Sequence, residues 1–287
     1  MSTGGEVKSQ PGMSRDNLPC VTGLMKFADA VGEVASSPCE CKVYDARPIA
    51  DDLSLDREGF RLIQHESKLT SQGDVDLLRR ESDAYLNDLA PVIKEAMGAA
   101  WVVPRTASNT GVVVRSATKI IPGEPFHYVR NKGAIEIPYP GVHLDYTAES
   151  AKQLARAENY QRGVAERPYS RLIIIQAWQA VSPPPQDRPL AVMDASTLDW
   201  KDTFVMNGPP DPDDMSGDYF QASMVVFNPN QRWYYFSNMA PSDIILFKGY
   251  DSANRATPPH ASFLNESLGA SGRPRESVEG RFFVYYE

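Results

Sequence analysis

Cysteine, histidine and long apolar runs are scarce in this 287-residue chain. Its three cysteines, Cys20, Cys39 and Cys41, all lie near the amino-terminal end. Cys39 and Cys41 are too close together for the usual paired-cysteine zinc spacing, and no histidine lies near them. Free thiols in a reducing compartment are the better interpretation, so a disulfide framework and a cysteine-based zinc site are both disfavoured.

Other missing features exclude further classes of protein. No apolar run reaches the roughly 18 residues of a membrane-spanning helix, and the polar amino-terminal stretch lacks the pattern of a secretory signal. The 29 basic residues are scattered among 37 acidic ones, for a net charge of −8. Nucleic-acid and membrane partners are therefore disfavoured, and we expect a cytoplasmic protein.

Phosphate-binding glycine motifs and internal repeats are also missing, which disfavours nucleotide-binding α/β folds. Short β-branched or aromatic segments bounded by Pro, Gly, Asn and Asp recur instead, and they predict strands. A first helix is predicted over residues 82–100, with a kink or a break at Pro91, and a second over residues 149–160. This pattern favours a mainly β fold with flanking helices, an antiparallel sandwich or barrel. The predicted strands are 43–44, 60–63, 101–103, 111–115, 171–178, 223–227, 232–236, 243–248 and 281–286.

The domain organisation follows from composition. Residues 1–40 are rich in Ser, Gly, Pro and charge, which predicts a flexible amino-terminal arm. Residues 41–287 are predicted to form a single domain, since one large core fits this length.

The segment GVHLDYTAES (141–150) places a histidine and an aspartate two positions apart. On a strand, residues i and i+2 point to the same face, so His143 and Asp145 would project side by side. Two imidazoles and one carboxylate on one face of Fe(II) leave the opposite face open for co-substrate and oxygen. The pair therefore predicts part of an iron site, and a third ligand has to come from elsewhere.

Three other histidines are candidates for that third ligand. His65 and His127 both precede the pair, although either could line a pocket. His260 follows it after several predicted strands and is our choice.

An anionic co-substrate needs a cation, and Arg275-Glu276-Ser277 would place a guanidinium and a hydroxyl on one face of the final strand. A guanidinium binds a carboxylate in a bidentate fork, and the hydroxyl of Ser277 adds a third hydrogen bond. The alternatives remain open here, because an H-x-D pair on a surface strand is common and Arg275 could face solvent. The order of H-x-D, strands, His and R-x-S favours the site.

That order is similar to the Fe(II)/2-oxoglutarate-dependent oxygenases, which have a double-stranded β-helix (jelly-roll) core. Several segments, given below, resemble the fungal and bacterial hydroxylase/desaturase family that includes AsaB-like proteins, gibberellin desaturase-like proteins and relatives of the cephem 7-alpha-methoxylase component. The resemblance covers roughly residues 42–287, and FKGYDS followed by a histidine and RESVE is its most specific part. The segments are AWQAVSPPPQDRPLAVMDASTL (177–198), YYFSNMAPSDIILFKGYDS (234–252), TPPHASF (257–263) and RPRESVEGR (273–281).

The resemblance implies Fe(II), 2-oxoglutarate and O2 as cofactors, with His143, Asp145 and His260 as metal ligands. It places the co-substrate arginine on Arg275, with Arg281 as the alternative. The implied activity is hydroxylation, desaturation or oxidative cyclisation at an unactivated carbon of a small, largely apolar molecule in secondary metabolism. A homodimer is left open as the oligomeric state.

Candidate pocket residues come from the aromatic-rich segments, although aromatic residues on strands more often belong to a core. They are His127, Tyr128, Trp178 and Gln179. Gln179 departs from the family, which usually has an arginine after this tryptophan, and Ser242-Asp243 replaces the usual acidic pair. Both departures concern the identity of the substrate and leave the metal site unchanged.

Two competing functions remain open: a non-catalytic accessory subunit of such an oxygenase, and a metal-binding β-barrel such as a zinc hydrolase. The Pro-, Asp- and Gly-rich segment 207–217 is either a surface insertion or a lid at the mouth of the barrel.

Overall fold

The structure is a computed structural model that describes residues 14–29, 38–106, 111–120, 135–165, 167–207, 221–254 and 256–287. Within these ranges the chain forms fifteen strands and three α-helices. The strands are β1 Cys20–Met25, β2 Cys39–Asp45, β3 Phe60–Gln64, β4 Trp101–Pro104, β5 Val112–Ser116, β6 His143–Leu144, β7 Arg171–Ala180, β8 Leu190–Met193, β9 Thr203–Asn207, β10 Gln221–Val225, β11 Trp233–Tyr235, β12 Asp243–Asp251, β13 His260–Ser262, β14 Leu264–Asn265 and β15 Glu276–Tyr286. The helices are α1 Val75–Arg80, α2 Ser82–Met97 and α3 Ala148–Gln161.

The strands form two sheets. The larger sheet has nine strands in the order β14-β1-β2-β11-β8-β13-β6-β10-β9. The smaller sheet has the order β3-β12-β7-β15-β4, and β5 also pairs with β15. Nearly all pairings are antiparallel, as predicted; β11 and β2 form a parallel pair. The predicted mainly β architecture is confirmed.

Side-chain alternation along the strands divides the core into layers, because successive residues point to opposite faces. One cluster lies between the sheets and takes Val192 and Tyr234 from the larger sheet and Trp178 and Phe247 from the smaller one. Another cluster joins the outer face of the smaller sheet to α1 and α2. Polar side chains on the inner faces of β7 and β15 are therefore enclosed between the sheets.

Helix α2 covers the smaller sheet with Tyr85, Leu86, Leu89 and Ile93. It ends at Gly98, which has a φ of 59° and so adopts the left-handed conformation that glycine tolerates best. Of the kink or break predicted at Pro91, the break does not occur: α2 continues through the proline, because the apolar residues on both sides of it pack on one sheet.

Phe282 provides a test of the outer layer. Its side chain is fully buried on β15 in the cluster beneath α2. Phe282→Ala is expected to lower the free energy of unfolding by about 3–5 kcal/mol, because it removes buried contacts and leaves a cavity. Urea denaturation followed by circular dichroism measures the change. Tyr160→Ala is the control, since Tyr160 is 88% exposed; equal stability of the two variants would contradict this packing.

The amino-terminal segment differs in part from the predicted arm. Cys20–Met25 forms β1, which pairs with β2 along its whole length and with β14. This strand pairs because its inward side chains, such as Met25, complete a buried cluster against Val43. Residues 1–13 and 30–37 lie outside the described residues, so for them the arm stays a prediction. Among the described helices, none has the length and apolar character needed to cross a membrane.

Candidate metal and co-substrate site

Two histidines distant in sequence face each other across neighbouring strands. His143 on β6 and His260 on β13 are direct partners in an antiparallel pair. Side chains opposite each other in such a pair point to the same face, and the two ring centres lie 4.4 Å apart. Sheet register, and not proximity along the chain, brings these two imidazoles together.

Asp145 follows β6 and completes the cluster. Its Oδ1 lies 3.7 Å from Nε2 of His143, and its Oδ2 lies 3.4 Å from Nε2 of His260. One ligand atom from each of the three residues lies within 4.8 Å of the others. The chain then turns into α3, where Thr147 and Ser150 form a capping box. This turn fixes where the strand ends and therefore where the carboxylate projects.

The protonation of His143 suits metal binding. Its Nδ1 lies 2.8 Å from the carbonyl oxygen of Gly141. Because a carbonyl can only accept, Nδ1 carries the proton and Nε2 keeps its lone pair. Burial, followed by the neighbouring His260 ring, lowers the pKa of His143 to about 3. The imidazole is thus neutral at physiological pH, the form that ligates a metal.

The carboxylate of Asp145 is held in its charged form. Burial alone would raise the pKa of Asp145, but the positive charge of Arg281, followed by the two nearby imidazoles, keeps it well below its usual range. Two imidazoles and one carboxylate close together are the donor set typical of non-haem Fe(II) oxygenases. The three side chains therefore fit the predicted metal.

Arg275 lies on the wall of the same cavity as His143 and His260. Its side chain is 1% exposed, and its Nε and Nη2 have no hydrogen-bond partner within the described part of the chain. Burial, followed by the charge of Arg115, lowers the pKa of Arg275 to about 9. Two buried guanidinium nitrogens that lack partners among the described residues are costly, and a carboxylate ligand would accept a hydrogen bond from each of them. Its position matches a co-substrate anchor.

The other predicted cofactor residues lie near Arg275 with different surroundings. Ser277 is 1% exposed on β15. Arg281 lies 3.4 Å from Oδ1 of Asp145 and 2.9 Å from Oε1 of Glu279. Since its guanidinium is already paired with two carboxylates, Arg281 supports a candidate metal ligand and does not offer a free fork. Of the two arginines, Arg275 is therefore the better candidate for the predicted anchor.

Of the predicted pocket residues that the structure describes, Trp178 lines the cavity and Gln179 does not. The Arg275 guanidinium lies 5.4 Å from the ring centre of Trp178. Gln179 points to the opposite face of β7, where its amide accepts from the Tyr85 hydroxyl at 2.9 Å and donates to the Pro241 carbonyl at 2.9 Å. It lies outside the cavity because neighbouring residues on a strand alternate faces.

Of the two remaining histidines, the structure describes only His65. His65 lies apart from the cluster, with Nε2 3.3 Å from Oδ2 of Asp88. His127 and the predicted pocket residue Tyr128 lie outside the described residues, as does most of the predicted lid, residues 208–217.

Sequence reasoning missed two buried side chains beside Asp145. Gln176 Nε2 donates to Asp145 Oδ2 at 2.5 Å and lies 3.2 Å from Oε1 of Glu279. Alternation could have found both: R-x-S-x-E-x-R places Glu279 on the same face as Arg275 and Arg281, and Q-x-W places Gln176 on the same face as Trp178.

Comparison with known proteins agrees with this geometry. Residues 22–285 match a family model described as YDMC, oxidoreductase/YMDC permease-like domain. The chain is 30% identical over 254 residues to the hydroxylase/desaturase efuI of Hormonema carpetanum, a match that covers 85% of this chain and 83% of that protein. The chain belongs to the hydroxylase/desaturase family. The family resemblance predicted from the sequence is confirmed.

Further members and a solved structure extend the comparison. The chain is 26% identical over 259 residues to the Fe(II)/2-oxoglutarate-dependent dioxygenase nvfI of Aspergillus novofumigatus, covering 87% of this chain and 84% of that protein. A structure of the iron and alpha-ketoglutarate-dependent endoperoxidase NvfI matches with a TM-score of 0.74 at 21% identity, covering 93% of this chain and 98% of that one. The shared fold confirms the predicted double-stranded β-helix core of this hydroxylase/desaturase family member.

Proposed function

We propose that this chain is an Fe(II)/2-oxoglutarate-dependent oxygenase that oxidises an unactivated carbon of a small, largely apolar molecule in secondary metabolism. One observation carries the proposal: a buried arginine, with two guanidinium nitrogens that have no partner in the described part of the chain, shares a cavity with two histidines that face an aspartate. The family relatives named hydroxylase/desaturase and Fe(II)/2-oxoglutarate-dependent dioxygenase support it.

His143, Asp145 and His260 would hold the metal, and Arg275 would hold the distal carboxylate of 2-oxoglutarate. When bound, iron with 2-oxoglutarate and O2 supplies an oxidant that abstracts hydrogen from carbon, with release of succinate and carbon dioxide. The chain's own part is to orient these groups and to exclude water, since the candidate ligands are enclosed between two sheets. Trp178 and Leu190 give the cavity an apolar wall that suits an apolar substrate.

The buried guanidinium of Arg275 also helps to distinguish the competing functions. A zinc hydrolase has no need of a buried, unpartnered arginine beside its metal. A non-catalytic accessory subunit has no need of a complete ligand set. Arg275 together with the three candidate ligands therefore favours the oxygenase.

Anaerobic titration of the purified chain with Fe(II) and 2-oxoglutarate tests the proposal without knowledge of the substrate. We expect a visible metal-to-ligand charge-transfer band that needs both components, because the band arises only when the keto acid chelates the iron. On admission of oxygen, slow release of succinate is expected. Zn(II) in place of Fe(II) is the control and should give no band. Absence of both the charge-transfer band and succinate would contradict the proposed oxygenase function and favour the non-catalytic accessory subunit.

A further inference from the structure

The carboxylate of Asp145 has protein donors on both oxygens besides the two imidazoles. Gln176 Nε2 lies 2.5 Å from Oδ2, and Arg281 Nη2 lies 3.4 Å from Oδ1. Gln176 is fully buried, and Arg281 is 7% exposed. A carboxylate that accepts hydrogen bonds at both oxygens cannot rotate freely, so these donors fix the direction in which it faces the histidines.

Glu279 links the two donors. Its Oε1 lies 3.2 Å from Nε2 of Gln176 and 2.9 Å from Nε of Arg281. Sheet register brings these side chains together, because Gln176 on β7 and Arg281 on β15 are direct partners. A closed ring of hydrogen bonds and ion pairs thus joins Asp145, Gln176, Glu279 and Arg281. The ring contains two carboxylates and one guanidinium, so the guanidinium offsets only one of the two negative charges.

Electrostatics selects one orientation of the Gln176 amide. With its NH2 group toward Asp145 and Glu279, the amide donates to two carboxylates. In the reversed orientation, its oxygen would face both negative charges. The oxygen instead points away and has no hydrogen-bond partner within the described residues, a cost that the two charge-assisted bonds offset.

Gly249 makes room for this arrangement. It lies on β12 at an irregularity in the pairing with β7, between Lys248 and Tyr250. A Cβ at Gly249 would lie 2.6 Å from Oε1 of Gln176 and 2.7 Å from the ring of Tyr146. Both distances are too short for any side chain, so only glycine fits against the amide without displacing it. Gly249 is the glycine of FKGYDS, the segment most specific to the family resemblance.

We propose that Gln176 is a positioning residue for Asp145, seated on Gly249 and aligned by Glu279 and Arg281. This role rests on the proposed function, because it assigns Asp145 as a metal ligand. Gln176 sets the angle at which the carboxylate meets the metal and takes no part in holding 2-oxoglutarate, which is the task of Arg275. Its loss therefore weakens metal binding and spares the co-substrate.

Gln176→Leu tests the role, and Gln179→Leu is a matched control. Both glutamines are fully buried on β7, each makes two polar contacts, and they point to opposite faces. Anaerobic titration should show about 10-fold weaker Fe(II) affinity for Gln176→Leu, as is usual when an outer-shell partner of a ligand is removed. The affinity of the iron-loaded variant for 2-oxoglutarate should stay unchanged. Gln179→Leu should keep the Fe(II) affinity of the unmodified chain.

Gly249→Ala is a second variant that removes no polar group. Its methyl group displaces the amide of Gln176, so Fe(II) affinity should fall as in Gln176→Leu. Gly280→Ala is its control, since a Cβ there would crowd Phe282, Tyr85 and Leu86 on the outer face of the same sheet. That variant should bind Fe(II) normally.

The outcomes separate two failures. Suppose that the unmodified chain binds Fe(II), and that Gln176→Leu and Gly249→Ala bind it as tightly as their controls. The positioning role of Gln176 is then wrong, while the proposed oxygenase function is unaffected. If Gln176→Leu does not fold, Gly249→Ala with Gly280→Ala decides by the same comparison. If the unmodified chain itself fails to bind Fe(II), the proposed function is wrong and the positioning role fails with it.

Discussion

Replacement of His260 with alanine is expected to weaken Fe(II) binding by more than about 100-fold and to abolish 2-oxoglutarate turnover. Removal of an outer-shell partner alone usually costs about 10–100-fold in metal affinity, so removal of a ligand should cost more. His260 supplies one of three donors and lies directly opposite His143. Anaerobic titration by isothermal calorimetry and the charge-transfer band measure the loss.

His65→Ala is the control for that experiment. His65 is a partly buried histidine with one carboxylate neighbour, Asp88, and it lies outside the cluster. The His65→Ala variant should bind Fe(II) with the affinity of the unmodified chain. If His260→Ala retained full Fe(II) affinity, His260 would not be a ligand and the proposed triad would be wrong.

Replacement of Arg275 with methionine is expected to weaken 2-oxoglutarate binding by about 100-fold while Fe(II) affinity is kept. Two charge-assisted hydrogen bonds are lost, at about 1.5 kcal/mol each or more, and about 1.4 kcal/mol corresponds to a factor of ten. Because Arg275 is buried and two of its guanidinium nitrogens have no partner within the described ranges, its removal should not destabilise the fold. The co-substrate concentration that gives half of the charge-transfer band measures the effect.

Two comparisons sharpen this experiment. Arg273→Met alters an exposed arginine two residues earlier and should change neither affinity. Arg275→Lys keeps the charge but loses the planar fork, so its affinity for 2-oxoglutarate should lie between those of the methionine variant and the unmodified chain. Unchanged 2-oxoglutarate affinity in Arg275→Met would show that the anchor lies elsewhere.

The fold was largely predictable because it follows local rules. Short β-branched or aromatic segments bounded by turn residues predicted most of the strands, and the periodicity of Tyr85, Leu89 and Ile93 predicted α2. The strand Cys20–Met25 was missed because its short apolar patch gains stability only by pairing with β2 and β14.

The candidate site was predictable only in part. The H-x-D spacing and the order of His260 and R-x-S came from the sequence together with the family resemblance. The sequence favoured Arg275 with Arg281 as the alternative, and alternation could not separate them, since it places both on one face of the last strand. Their partners distinguish them: Arg281 is paired with Asp145 and Glu279, whereas two nitrogens of Arg275 have no partner among the residues that the structure describes.

The sequence by itself determined the donor types, the strand content and the family of this protein, because these depend on residue identity and local periodicity. Only the tertiary structure decided which strands become neighbours. That choice placed His260 opposite His143, paired Gln176 with Arg281 and packed the Gln176 amide against Gly249. Pairing between strands more than a hundred residues apart is set by global packing, and no local pattern encodes it.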